Sequence, residues 1–277
     1  MAAGDFIAPE VWADLTQASF TGKVKVLGSP AVIEDNTLVG QPGETISFPK
    51  WGALNDLDDL TVGTPMVPVE LEQTDSSATI KEAGKAVKVN DRDKLTMLGG
   101  TGAAENETLR QFGVLAARKV DGDLITEART AAGRLTATTA AGVTTFGKAA
   151  VNTAFALFGD EAEPEEFAGI YVHSAQLNEL FDSADFTDVS KIGDQSLLRR
   201  GVVGAIRGVP VSVSNRLTEG DFLLMKRGVL GALYKRRPLV EQDRDILARQ
   251  DVYTTNIHYA VKAITPSGIA HVTLAAA

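Results

Sequence analysis

The side chains that could do chemistry are few, and their spacing suits little of it. Gly142 to Ala149 reads GVTTFGKA, one residue short of a phosphate-cradling loop, because Ala149 stands where a serine or threonine hydroxyl would bind magnesium. The preceding TATTAA is no apolar strand, so a glycine-led helix start is the simpler reading. Gly100-Thr101-Gly102 begins like the dinucleotide fingerprint GxGxxG, yet Glu105 occupies the third glycine position and would repel a pyrophosphate. His173, His258 and His271 are the only histidines, far apart in strand-like sequence, and a metal or catalytic cluster would need the fold to gather them. Asp56, Asp58 and Asp59 miss the calcium-loop spacing, since Leu60 replaces the third ligand. Asp123 and Glu127 lie four apart on a helical run. A glycosidase-like carboxylate pair could be built that way, but a helix face meeting a neighbouring subunit's arginine is more economical. No catalytic, cofactor-binding or metal-ligating residue is assigned, and no cofactor is expected.

Composition narrows the classes further. The 277 residues contain no cysteine, which removes disulfides, thiolate zinc sites and cysteine nucleophiles together. No run of 18 apolar residues occurs, and the opening MAAGDFIAPE has no basic stretch leading into an apolar one, so neither membrane nor secretion is expected. A net charge of −9, from 36 acidic and 27 basic residues, argues against a sequence-reading DNA binder.

The elements carrying these residues are organised around one long rod. From about Ala104 to Ala132 there is no proline, and Leu109, Phe112, Ala116, Val120, Leu124 and Ala128 recur at three- and four-residue steps, which lays an apolar stripe along a helix. Roughly 28 residues at 1.5 Å each give about 40 Å of spine. MLGGTG launches it, a turn whose glycines suggest a positive φ, and Gly133 is a plausible stop. Upstream, TISFPKWG (45–52) and ATIKEAGKAVKVN (78–90) read as the arms of a hairpin around an acidic, proline-bearing tip, Ala53 to Ser77. Ala78 and Ile80 are out of phase with Val87 and Val89, which predicts a bulge at Ala83-Gly84. Arms of some 20 residues would reach about 65 Å, far beyond the radius of gyration of about 19 Å expected of a compact chain this long. Such a hairpin is expected to lie on a neighbouring subunit.

Residues 1–28 read as an arm with a short helix around Pro9 and Trp12. From Leu135 an α/β region follows. Its expected elements are a helix near 146–158, an acidic loop GDEAEPEE, a buried strand AGIYV and a helix SAQLNELFDS. The strands GVPVSVSN, FLLMKRGVLGALY, VYTTNIHYAVKAI and IAHVTL come after. Mixed strands with segregated helices make the class α+β. The run YKRRPLVEQDRD sets Arg236 and Arg237 close to Glu241, Asp243 and Asp245, blocks of opposite sign suited to pairing between subunits.

In order, FIAPEVWADL, TISFPKWG, the hairpin, TIKEAGKAVKVND, LRQFGVLAARKVDGDLI, GVPVSVSN, LLMKRGVLGALYKRRPLVEQDRD and HYAVK resemble the major capsid proteins of tailed bacteriophages, in the branch similar to the coat protein of Enterobacteria phage N4. The resemblance spans nearly the whole chain. It implies the Hong Kong 97 capsid fold, divided into an N-terminal arm (1–28), an extended loop with flanking peripheral-domain strands (29–90), a peripheral domain with the spine helix (91–134), an axial domain (135–233) and strands returning to the peripheral domain (234–277). It further implies a structural subunit that forms pentamers and hexamers of an icosahedral head around double-stranded DNA, held by non-specific contact; an acidic lining would spare packed DNA salt-dependent adhesion. Portal, scaffolding and decoration proteins would be its partners, with assembly in the bacterial cytoplasm and residence in the virion capsid. The residues expected at inter-subunit contacts are Trp12 in the arm, Lys50, Trp51, Leu57, Leu60 and Met66 in the hairpin, and Arg236, Arg237, Glu241, Asp243 and Asp245. Some members of the fold crosslink a loop lysine to an asparagine; Lys50 has no legible partner, so none is expected here. An encapsulin-type compartment shell and a soluble carboxylate-dependent hydrolase stand as alternatives.

Overall fold

The computed structural model describes residues 25–36, 43–52, 54, 59, 65–66, 68–96, 102–182 and 204–275. Two sheets and a projecting hairpin are arranged along one helix. The four-stranded sheet has the order β1-β10-β11-β4, from β1 (Val32–Asp35), β4 (Lys81–Asn90), β10 (Leu230–Asp245) and β11 (Gln250–Ala263). Its centre is the long antiparallel pair β10–β11, with β1 parallel to β10 and β4 antiparallel to β11. The six-stranded sheet has the order β5-β12-β9-β6-β8-β7, from β5 (Leu135–Thr138), β6 (Phe167–Val172), β7 (Ala205–Ile206), β8 (Val209–Val213), β9 (Asp221–Lys226) and β12 (Ile269–Thr273). β2 (Thr45–Trp51) and β3 (Gln73–Thr79) form the separate hairpin. The architecture is α+β.

The helices are α1 (Asp91–Thr96), α2 (Ala103–Thr130), α3 (Lys148–Ala156) and α4 (Ser174–Asp182). α2 is the expected spine. Leu109, Phe112, Ala116, Val120, Leu124 and Ala128 are all buried along it, and each large one stabilises the docking by about 1.5–3 kcal/mol of removed apolar surface. Its C-terminal half packs with Tyr234, Ile257, Tyr259, Leu223 and Met225 into a core that joins both sheets. Its N-terminal turns pack Leu109 and Phe112 against Val89, Val240 and Tyr253. α3 and α4 cover the other face of the six-stranded sheet, where Phe146, Phe155, Phe158 and Phe167 meet Ile170, Phe222 and Leu224. The spine stops at Thr130, where Ala131 leaves the helix at φ −52°, ψ 130°; Gly133, at φ +84°, lies in the turn beyond and is not the stop expected of it.

Several local expectations are corrected. The returning hairpin arm is β3, which starts at Gln73 inside the stretch expected as the tip and ends at Thr79, while β4 belongs to the body sheet. QTDSSAT carries no alternation of apolar residues, so the pairing of β3 was not legible. The β4–β11 ladder from Lys81 to Asn90 has no register shift; the change of phase falls at Ile80, where the chain leaves β2 and begins to pair with β11. Gly84 is instead a close approach, since a Cβ there would stand 2.8 Å from the Thr255 carbonyl oxygen. FLLMKRGVLGALY is not one strand. It breaks at Arg227-Gly228, where Gly228 has φ +68°, and β9 and β10 enter different sheets. Both halves are buried, so continuous apolarity reported burial and not continuity. Gly102 caps α2 at φ −89°, a conformation open to any residue, while Gly100 lies outside the described residues. The 234–277 block is shared, with β11 in the four-stranded sheet and β12 in the six-stranded one.

Candidate assembly surfaces

Among the described residues, the hairpin is tied to its own body at the root. Phe48 lies against Gly231 of β10, where a Cβ would meet the ring at 2.9 Å. Lys235 Nζ donates to the Gly43 carbonyl at 2.7 Å, and the Ile80 amide to that of Glu44 at 2.8 Å. Further out, the described apolar side chains are largely exposed: Trp51 is 60% exposed, Met66 and Val69 73% each, and Leu54 and Leu71 more than half. Lys50 pairs with Thr74 across the hairpin and Trp51 with Gln73. Trp12, Leu57 and Leu60 lie outside the described residues.

The expected charged contacts find partners inside the chain. Arg236 stands 3.7 Å from Glu241, and Arg237 stands 3.6 Å from Glu34 while lying over the Tyr234 ring. Asp243 accepts the Arg244 amide at 2.8 Å. Asp245 accepts the amides of Leu247 and Ala248 at 3.1 and 3.0 Å and so shapes the β10–β11 turn. Arg244 reaches Asp91 at 2.8 Å, locking that turn to α1. Exposed pairs of this kind contribute about 0–1 kcal/mol each; they fix side-chain direction more than stability.

At the same end of the sheet lies a denser network of side chains. Lys94 Nζ donates to Asp251, to Glu105 at 2.8 Å and to the Tyr253 hydroxyl at 3.3 Å, and that hydroxyl donates to Glu105 at 2.7 Å. Burial alone would lower the Lys94 ammonium, but the bonds to Asp251, Glu105 and Tyr253 together push it above its ordinary value. One ammonium thus joins α1, the start of α2 and β11. Beyond it, Leu95, Ile246 and Leu247 stand 80, 78 and 97% exposed, an apolar trio at the sheet tip.

A family model described as phage capsid protein matches residues 72–272. The chain belongs to that family. Over 256 residues it is 29% identical to the major capsid protein of Staphylococcus phage phiMR11, spanning 91% of this chain and 88% of that one. Among solved structures, that of Mycobacterium phage Che8 matches at TM-score 0.65 and 17% identity, over 98% of this chain and 94% of that chain. The acid-stable capsid of Helicobacter pylori bacteriophage KHP30 matches at TM-score 0.69 and 10% identity, over 99% and 93%. The fold is the Hong Kong 97 capsid type, and the capsid subunit is a structural protein, not an enzyme.

In the capsid subunit Asp123 and Glu127 hold the spine to the sheet. Asp123 accepts the Tyr259 hydroxyl at 2.8 Å and pairs with Lys119 at 2.9 Å; Glu127 pairs with Lys262 at 3.4 Å and accepts the Ala263 amide. Their partners lie in the same chain, which corrects the expectation of a neighbour's arginine. Among the described residues no group of three metal-ligating side chains occurs. His258 faces Glu82 and His271 faces Asp221, while His173 lies at the start of α4, not in a strand, with Nδ1 accepting the Ala175 amide. In GVTTFGKA the Phe146 ring is buried and its amide donates to Glu179 at 2.6 Å, and Gly147 caps α3. The exposed trio and the Lys94 network were missed in the sequence, because Leu95, Ile246 and Leu247 sit in polar surroundings with no periodicity.

Proposed function

We propose that the chain is the repeated subunit of an icosahedral phage head, organised as pentamers and hexamers around double-stranded DNA, in the branch similar to the phage N4 coat protein. The observation that carries this is a capsid-fold body whose hairpin is fixed at its root and leaves Trp51, Met66 and Val69 uncovered. Apolar side chains in that number belong against another copy. By the same reading the four-stranded sheet with α2 forms the peripheral domain, the six-stranded sheet with α3 and α4 forms the axial domain, and residues 1–28 form an arm. Lys50, Trp51, Met66 and the charged run Arg236 to Asp245 then line contacts between copies, together with Trp12, Leu57 and Leu60. No crosslink is assigned to Lys50. Portal, scaffolding and decoration proteins would bind the assembled lattice, DNA would be held without sequence preference, and assembly would occur in the host cytoplasm before the subunit enters the virion. Sedimentation and negative-stain microscopy of the purified chain test the reading. Closed megadalton shells are expected; a monomer or small oligomer at every concentration would overturn it.

A further inference from the structure

Between α2 and the six-stranded sheet lies a cleft of about 680 Å³ lined by Lys25, Arg110, Arg118, Ser174, Ser214 and Arg216. The acids within reach are already engaged. Asp121 accepts the amides of Lys25 and Leu27, Glu107 holds Arg110 through both of its oxygens, and Asp123 serves Tyr259 and Lys119. Arg118 and Arg216 have no ion-pair partner among the described residues, although both also line the adjoining cleft over Gly122. The Arg216 stem crosses the helix there, with Cδ 3.7 Å from where a Gly122 Cβ would stand. Both guanidiniums therefore line the same two clefts without a counter-charge among the described residues, and a carboxylate entering there could be held in fork geometry.

The chain carries a complementary surface. Gly159 to Glu166 presents five carboxylates, all on exposed residues. Lys226 engages Glu161 and Glu166, at 3.2 and 2.8 Å. Asp160, Glu163 and Glu165 have no cation among the described residues. β6 joins this ledge to the cleft. It starts at Phe167 directly after Glu166, and its last residue, Val172, accepts the Ser214 amide at 2.9 Å. Six residues of strand separate the two by about 20 Å, so the ledge cannot reach its own subunit's cleft.

We infer that the Gly159–Glu166 ledge of one copy docks in the Arg118–Arg216 cleft of a second copy. The inference rests on the shell reading and names one of its contacts. Because donor and acceptor surfaces lie at opposite ends of the same sheet, the contact is head-to-tail and repeats around a ring. Charge of opposite sign sets partner register there more than affinity. DNA phosphate is the competing anion for the cleft, disfavoured by a net charge of −9.

Charge reversal tests this. Arg118→Glu with Arg216→Glu, and separately Asp160→Lys with Glu163→Lys and Glu165→Lys, should each lower shell yield at least about tenfold, and the chain carrying all five should recover most of it. As the protein has no cysteine, the Arg216→Cys, Glu163→Cys variant gives a second readout that tolerates a weakened fold. Under mild oxidation its assembled subunits should run as a ladder of linked oligomers. Full assembly of either reversed set, failure of the combined set to recover, or absence of the ladder would overturn the contact. So would reversed-cleft shells that close normally but lose nucleic acid, which would assign the cleft to phosphate. Absence of shells from the unmodified chain would instead count against the shell reading itself.

Discussion

The carboxylate of Asp121, on the buried side of the spine helix, accepts the main-chain amides of Lys25 at 2.6 Å and Leu27 at 3.1 Å. One side chain thereby fixes where the chain enters the body. Burial pushes its carboxyl above the ordinary range, against the opposite pull of the Lys25, Leu27 and Val26 amides. A carboxyl raised in the folded state contributes stability that is present below its unfolded value and is lost as pH rises through the folded one. Asp121→Asn should therefore cost stability throughout, by about 1–3 kcal/mol from imperfectly satisfied amides. The gap to the unmodified subunit should narrow as pH rises from 4 towards 7. Thermal melts at a series of pH values check this; a gap that widens with pH would contradict it.

Lys94 carries a different load. Lys94→Met leaves Asp251 and Glu105 facing each other and the Tyr253 hydroxyl without the ammonium, and should destabilise the subunit by about 2–4 kcal/mol. The loss should appear as a lower melting temperature together with faster amide exchange in Asp91–Thr96 and the first turns of the spine. A change confined to the surface pairs of Arg244 would produce neither.

Gly84 allows the spine-side sheet to close. In Gly84→Val the new side chain meets the Thr255 carbonyl, which is main chain and cannot rotate away, and a loss of more than about 2 kcal/mol is expected. Gly102→Val should be far milder, within about 1 kcal/mol, because that residue has ordinary helical φ and open space around it. Melting of the two variants side by side separates the roles of the two glycines.

This contrast shows what the sequence could and could not say. The spine was readable because its stripe is built from Leu109, Phe112, Val120 and Leu124 at helical spacing, and local periodicity reports a buried face directly. The hairpin's existence was readable from Pro65, Pro68 and the acidic tip, but not its pairing, because Gln73–Thr79 is polar on both faces. Gly84 looked like a bulge since sequence reports phase and not which strand lies opposite. Asp123 and Glu127 looked available for a neighbour because Lys262 and Tyr259, more than 130 positions away, come beside them only through the β10–β11 pair.

At the tip of the four-stranded sheet, Ile246→Asp with Leu247→Asp should leave the melting temperature within the scatter of surface substitutions, about 0.5 kcal/mol, and still reduce shell yield. Equal yield with equal melting would remove that tip from the contacts between copies.

The most direct measurement is a cryo-electron microscopy reconstruction of assembled particles at side-chain resolution. It should show closed shells with five- and six-fold clusters in which Trp51, Met66 and Val69 of each hairpin are covered by an adjacent subunit, while Phe48 remains on Gly231 of its own. A map in which those three side chains face solvent, or fold back on their own body, would contradict the account of the hairpin as the element that joins one subunit to the next.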